Sequence, residues 1–352
     1  MVKTTQRIAA LAASVLTVIG IGVPAAAAGP KPGNPGGAHF DIQAHRGGLG
    51  LTVEGTLKAF DRALELGVTT LELDIQITRD GRDVITHDRQ VDPTKCQDTE
   101  PVTPDDPQFP YAGKYVKDLT FEQVRSLDCG SQQHPDHPGQ ELDPGAPMPT
   151  LEELFALVRE KRAFGVKFNI ETKVEAAAPH ETAPREEFVE RVASEVERSG
   201  FARNVTIQSF DWGALMAMSE RMPKVPLVAL TVPNFLEVGE PGKSPWLGGI
   251  DIDDFDGNPV RAAHSFGASA LSPVHGEPQD GEIGDPDYVP FTTKEMVDEA
   301  HAHGMTVIPW TVNDKPTMRK LVDDGVDGII TDYPDRLRDV AAEYGFKLPK
   351  QY

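Results

Sequence analysis

Positive charge is scarce in this sequence. Its 34 lysines and arginines stand against 55 aspartates and glutamates, a formal net charge of −21. So acidic a surface disfavours nonspecific binding to nucleic acid or to anionic membranes, and no nucleic-acid partner is expected. It also repels phosphate-bearing molecules, so a site for one requires a bound cation and local arginine or lysine to reverse the field. Long apolar runs are almost as scarce. Only residues 8–23 form one, and it is short for a bilayer span. Cysteine is limited to Cys96 and Cys129, so at most one internal disulfide can form. No short repeat, glycine-rich nucleotide loop or Ser-His-Asp order stands out, which argues against a repeat array, a P-loop and a serine-hydrolase triad.

The single apolar run has a position that explains it. Lys3 and Arg7 precede it and Ala26-Ala27-Ala28 follow, the pattern of a secretory signal cleaved after Ala28. An uncleaved anchor is the alternative, disfavoured by the shortness of the run. The expected organisation is a signal peptide over 1–28, a flexible Pro/Gly-rich leader over 29–38 and one folded domain over 39–352. Export makes the protein secreted, without a stable membrane anchor, and losing Lys3 and Arg7 takes the charge from −21 to −23. In an exported chain the Cys96 and Cys129 pair is expected as a disulfide, two free thiols being the other possibility.

The chemistry concentrates in a few places. Residues 40–44 read as a short buried strand that stops at His45-Arg46-Gly47-Gly48. Imidazole and guanidinium at a strand end, followed by glycines, suit a site that handles an anion. Residues 69–78 form a second strand, on which Glu72 and Asp74 share a face. Two carboxylates held together need a cation or a shared proton. After the turn Arg79-Asp80-Gly81 the chain returns and delivers His87 beside them.

In order and spacing these pieces resemble the glycerophosphodiester phosphodiesterase family, in its secreted bacterial form. The matching motifs are His45-Arg46-Gly47, Glu54-Gly55-Thr56, Glu72-Leu73-Asp74, His87-Asp88, Glu171-Thr172-Lys173 and Trp310-Thr311-Val312-Asn313. The family more often has Pro-Glu-Asn-Thr where this chain has Val53-Glu54-Gly55-Thr56, so the carboxylate is kept and the asparagine is not. The resemblance covers the chain from about residue 40 to its end. It implies hydrolysis of a small phosphodiester to sn-glycerol 3-phosphate and an alcohol. A phospholipase D-like relative acting on lysophospholipid or sphingolipid headgroups is the alternative enzyme, and a noncatalytic phosphate-binding barrel the alternative class.

From residue 150 onward strands and helices alternate. Strands are expected at 166–173, 205–210, 225–231, 268–272, 305–312 and 328–331, with helices between them. Thr150 and Glu153 form a capping box at the start of one helix, and Gly67 ends an earlier one that begins near Glu54. With the first two strands this makes eight, and alternation at that count predicts an α/β fold, a parallel (β/α)8 TIM barrel. Residues 89–149 break the rhythm. They read as an insertion after the second strand, folded over the barrel mouth and stapled by Cys96–Cys129; the family commonly carries one there.

Barrel chemistry sits at the carboxyl ends of strands, where His45, Glu72, Asp74, Glu171, Lys173, Gln208 and Trp310 all fall. Within the resemblance, His45 and His87 divide general acid and general base work, and which one protonates the leaving group stays open. Glu72, Asp74 and Glu171 offer oxygen alone, which suits a divalent cation such as Ca²⁺ or Mg²⁺; a buried network with Arg46 and Lys173 is the competing account. Arg46 and Lys173 are candidates for phosphate contact, Glu54 for orienting Arg46 or joining the metal shell, and Gln208 for a polar substrate contact. Trp310 either stacks on substrate and walls the pocket or packs in the core. Phe210 reads as packing, His134 and His137 as surface loop residues, and His301 with His303 as a poor metal pair.

Overall fold

The computed structural model describes residues 39–352; the expected signal peptide (1–28) and leader (29–38) lie outside the described residues. Eight parallel strands form one nearly closed barrel: β1 (Asp41–Ala44), β2 (Thr70–Ile77), β3 (Lys167–Thr172), β4 (Val205–Ser209), β5 (Leu227–Thr231), β6 (Ala270–Pro273), β7 (Thr306–Val307) and β8 (Gly328–Thr331). Each strand pairs with its predecessor through β7, and β8 returns to β1. The last seam, between β7 and β8, has no regular ladder. Asp327 N donates to Val307 O, Ile330 N to Pro309 O and Val312 N to Ile330 O, each at 3.0 Å. The expected strand over 305–312 is therefore cut to two residues. Pro309 has no N–H to contribute, so the ladder cannot run through it.

Strand β2 shows how one sequence serves two faces. All eight of its residues are buried. Leu71, Leu73, Ile75 and Ile77 join the main apolar core, while Thr70, Glu72, Asp74 and Gln76 take the alternate face, inside the barrel. Burying a leucine or isoleucine of this size stabilises by about 1.5–3 kcal/mol. The barrel interior is polar but bonded: Asn169 donates to Gln43 Oε1 (3.0 Å) and to Gln208 Oε1 (2.7 Å). Buried amides without partners would be destabilising, and these have them.

The helices obey their caps. Thr56 accepts from Ala59 N and starts Leu57–Leu66, so Glu54 lies ahead of the helix and not in it. Gly67 ends that helix at φ +82°. Thr150 and Glu153 cap Leu151–Glu160 reciprocally, as expected. A further helix, Pro334–Glu343, follows β8; its buried Leu337, Val340 and Ala341 recur at helical spacing and carried a signal that the sequence reading missed. Among the described residues no helix is long and apolar enough to cross a membrane.

The insertion has its own small core, in which Tyr111, Val116, Leu119, Val124 and Leu127 pack around the disulfide Cys96–Cys129. It is joined to the barrel by backbone bonds, including Glu141 N to Leu51 O (2.8 Å) and Val53 N to Glu141 O (3.2 Å).

Candidate active site

The chain leaves β1 in one tight turn, His45–Gly47. Arg46 sits in the left-handed region at φ 51°, an uncommon conformation for a residue with a Cβ. Gly47 follows at φ 85°, and a Cβ there would lie 2.9 Å from that of Ala59. The turn thus packs flush against the first helix. It aims Arg46 N at Glu72 Oε2 (2.9 Å) and swings the guanidinium back over the strand ends. There Nη1 meets Glu54 Oε2 at 2.5 Å, and Nε lies 3.3 Å from Asp74 Oδ2.

Register places the acids. Asp74 pairs with Glu171 across β2 and β3, and Glu171 with Gln208 across β3 and β4. Glu72, Asp74 and Glu171, all buried, bring carboxylate oxygens within 4.8 Å of one another. Lys173 Nζ lies 3.0 Å from Glu171 Oε1 and 3.8 Å from Asp74 Oδ1. Burial pushes Glu72 well above the usual carboxylate range, and the neighbouring charges of Asp74 and Glu171 push it further. Glu171 is raised by burial too. Asp74 is held low: the positive charges of Arg46 and Lys173 and the neighbouring histidines outweigh its burial. Arg46 and Lys173 favour the ionised forms of Glu72 and Glu171, but burial outweighs them. The three all-oxygen groups fit a hard divalent cation, whose charge would supply what is missing.

Each histidine has its own carboxylate. His45 Nδ1 lies 2.6 Å from Asp332 Oδ1. Asp332 in turn accepts from Asn313 Nδ2 (2.7 Å) and donates its N–H to Asn313 Oδ1 (3.0 Å). Burial would raise Asp332, but His45, Asn313 and Arg46 hold it below the usual range, so it remains an anion. His87 Nδ1 lies 2.8 Å from Asp88 Oδ1. Burial and the positive charges of Arg46 and Lys173 depress His87, against the pull of Asp74 and Asp88, so it is neutral at pH 7. In both pairs the carboxylate takes Nδ1 of the ring.

His45, His87, Arg46, Lys173 and the acidic trio border one cavity of about 840 Å³ at the carboxyl ends of the strands. Its far wall is aromatic. Phe210 stands edge-on to Trp310 (ring centroids 5.4 Å) and to Phe235 (5.3 Å), and Phe235 stacks on Trp246 at 4.1 Å. Trp310 spends its N–H on Ser272 O (2.9 Å), so only its ring is offered to a ligand.

Most of the expected site residues therefore converge. Gln208 has a further contact. It lines the cavity but is 1% exposed, and its Nε2 donates to Glu72 Oε1 at 2.7 Å, so it also orients a carboxylate. His137 is a half-buried loop residue: its Nδ1 lies 3.0 Å from Tyr333 OH and its Nε2 4.0 Å from Asp332 Oδ2. Phe210 lines the cavity. His275 is buried between Tyr288 OH (2.8 Å) and Gln279 O (2.9 Å), which satisfies both ring nitrogens. Three contributors went unnoticed in the sequence: Asp332, Phe235 and Trp246. Asp332 directly follows β8, so the strand-end rule would have named it; the others carry no local signal.

A family model, that of the glycerophosphoryl diester phosphodiesterase family, matches residues 45–336. The glycerophosphodiester phosphodiesterase of Caldanaerobacter subterraneus subsp. tengcongensis is 27% identical, over 86% of this chain and 98% of that one. That of Bacillus altitudinis is 26% identical, with the same coverage of 86% and 98%. A crystal structure from Silicibacter pomeroyi superposes with a TM-score of 0.71 at 28% identity, covering 90% of this chain and 96% of that one. An Oleispira antarctica phosphodiesterase, solved in complex with the product sn-glycerol-3-phosphate, has the same fold at 17% identity and TM-score 0.60, over 85% and 96% of the two chains.

Proposed function

Because the chain belongs to the glycerophosphoryl diester phosphodiesterase family and is an enzyme of that class, we propose that it hydrolyses glycerophosphodiesters to sn-glycerol 3-phosphate and an alcohol. We further propose that it does so with a divalent cation, Ca²⁺ or Mg²⁺, and a pair of histidines. The observation that carries this reading is the arrangement of two histidines, each with its own carboxylate, around one cavity that also holds Arg46 and the acidic trio.

Displacement at phosphorus needs a base for the entering oxygen and an acid for the departing one. His45 and His87 take these two tasks, each through Nε2. The bond from phosphorus to the alcohol oxygen breaks, and that oxygen leaves with a proton. The entering oxygen, from water or from the neighbouring glycerol hydroxyl, loses one; attack by the hydroxyl gives a cyclic phosphate, which water then opens to sn-glycerol 3-phosphate. Arg46 offsets the charge on the non-reacting phosphate oxygens. Glu72, Asp74 and Glu171 would hold the cation, which supplies Lewis-acid polarisation of a phosphoryl oxygen when bound. Lys173, tied to Glu171, adds positive charge beside the same oxygens, and Trp310 with Phe210 forms the apolar wall. The test is release of glycerol 3-phosphate from glycerophosphocholine, with and without a chelator. No release from the cation-loaded protein rejects the reading.

A further inference from the structure

Lys95 belongs to the insertion and lies immediately before Cys96, whose disulfide to Cys129 anchors it. Its Nζ reaches two carboxylates at once: Glu54 Oε1 at 2.7 Å and Asp88 Oδ2 at 2.7 Å. Each carboxylate uses its other oxygen on a group of the proposed reaction. Glu54 Oε2 takes Arg46 Nη1, and Asp88 Oδ1 takes His87 Nδ1. One ammonium thus closes a chain that runs Arg46, Glu54, Lys95, Asp88, His87. We propose that Lys95 is a positioning residue that fixes Arg46 and His87 together, so that the insertion completes the active site and does not merely cover it. This rests on the function proposed above.

The physical argument is repulsion. The two carboxylate oxygens bound to Lys95 Nζ are at most twice 2.7 Å apart. At that separation two half-buried anions repel each other unless a cation lies between them. Glu54 is lowered despite its burial because Arg46 and Lys95 face it, and Asp88 is lowered because His87 and Lys95 outweigh its burial. Both are therefore ionised. Without Lys95 they separate, and each drags its partner: Glu54 takes Arg46 off the phosphate position, and Asp88 turns the His87 ring. A misplacement of about 1 Å at such groups is enough to cost on the order of 10²-fold in rate. Lysine delivers this as a compact point charge between two acceptors, which a neutral side chain of equal length cannot do.

The test compares wild type with Lys95→Met and Lys95→Arg, all loaded with Mg²⁺ or Ca²⁺. Lys95→Met should lose roughly 10- to 100-fold in kcat/KM on glycerophosphocholine. Both parameters should move, KM rising as Arg46 loosens and kcat falling as His87 turns. Lys95→Arg should recover part of both. A merely structural lysine would lower Tm and leave kcat and KM of the folded fraction alone. Crystal structures of the variants give a readout independent of activity. In Lys95→Met, Arg46 and His87 should be displaced while the barrel backbone is unchanged. If both side chains stay in place, or if kcat/KM stays within twofold of wild type, the proposal is overturned. Should Lys95→Met fail to fold, Lys95→Gln replaces it under the same criteria. If wild type releases no glycerol 3-phosphate, the proposed function fails by itself, and the variant structures still decide the role of Lys95.

Discussion

His45 Nδ1 and Asp332 Oδ1 lie 2.6 Å apart although 287 residues separate them in the chain. The first barrel strand ends at Ala44 and the last at Thr331, and these two residues are register partners. Closing the barrel therefore brings the residues that follow them together. The carboxylate orients the His45 ring and fixes its tautomer.

Replacing Asp332 by Asn should lower kcat about 10- to 100-fold, the usual cost of removing a group that orients a functional histidine. His45→Ala should cost about 10²- to 10⁴-fold, and adding Asp332→Asn to it should cost little more, because residues acting as a unit are not additive. Steady-state kinetics on the three proteins checks this. Independent, multiplying losses would show that Asp332 does not work through His45.

The same logic applies to the two histidines. His45→Ala and His87→Ala should each remove about 10²- to 10⁴-fold of kcat, with little change in Tm, since both border an open cavity. Near-full activity of either variant on glycerophosphocholine would exclude acid–base catalysis by the pair.

Chelation should abolish activity, and Ca²⁺ or Mg²⁺ should restore it, because the acidic trio presents oxygen alone. A binding readout accompanies the assay. The chelated protein should melt at higher temperature when either ion is added, and Glu72→Gln should lose that shift. Recovery with Zn²⁺ alone would count against a hard-cation site.

Asp128, next to the disulfide, makes the insertion sensitive to acid. Its carboxylate accepts from Gly130 N, Ser131 N, Ser131 Oγ, Gly145 N and Gln97 Nε2. Burial would raise its pKa, but these donors hold it below the ordinary aspartate value. A group depressed in the folded state adds stability above its unfolded pKa, roughly 3.9 for Asp, and loses it as pH falls through the folded value. Asp128→Asn should therefore destabilise by about 1–3 kcal/mol at pH 7, with the gap to wild type narrowing below about pH 4. Denaturant melts at pH 7 and pH 3 measure the gap. An equal gap at both would show that the charge is not involved.

Joining residues 33 apart, Cys96–Cys129 should stabilise by about 3–4 kcal/mol in the chain-entropy account. The double Cys→Ala variant should lose that amount in melts. Because Lys95 is the neighbour of Cys96, the variant should also lose kcat/KM; unchanged kinetics would separate the staple from the site.

Sequence alone determined whatever depends on short range. The alternation Thr70-Leu71-Glu72-Leu73-Asp74 dictates a two-faced strand, because successive side chains of a strand point opposite ways. It also puts Glu72 and Asp74 on one face. Gly67 and Thr150 set helix ends through bonds to backbone three or four residues away. Strand and helix alternation, counted to eight, implied the barrel and hence the end at which the chemistry gathers. What the tertiary structure decided is which distant groups complete each site residue. Asp332 meets His45 only because the last strand closes on the first. Lys95 reaches Glu54 and Asp88 only because the insertion folds back under its disulfide. Gln208 was visible at a strand end, but register turned it onto Glu72. Such contacts depend on the closure of the whole sheet and on loop packing, and no local pattern of residues encodes them.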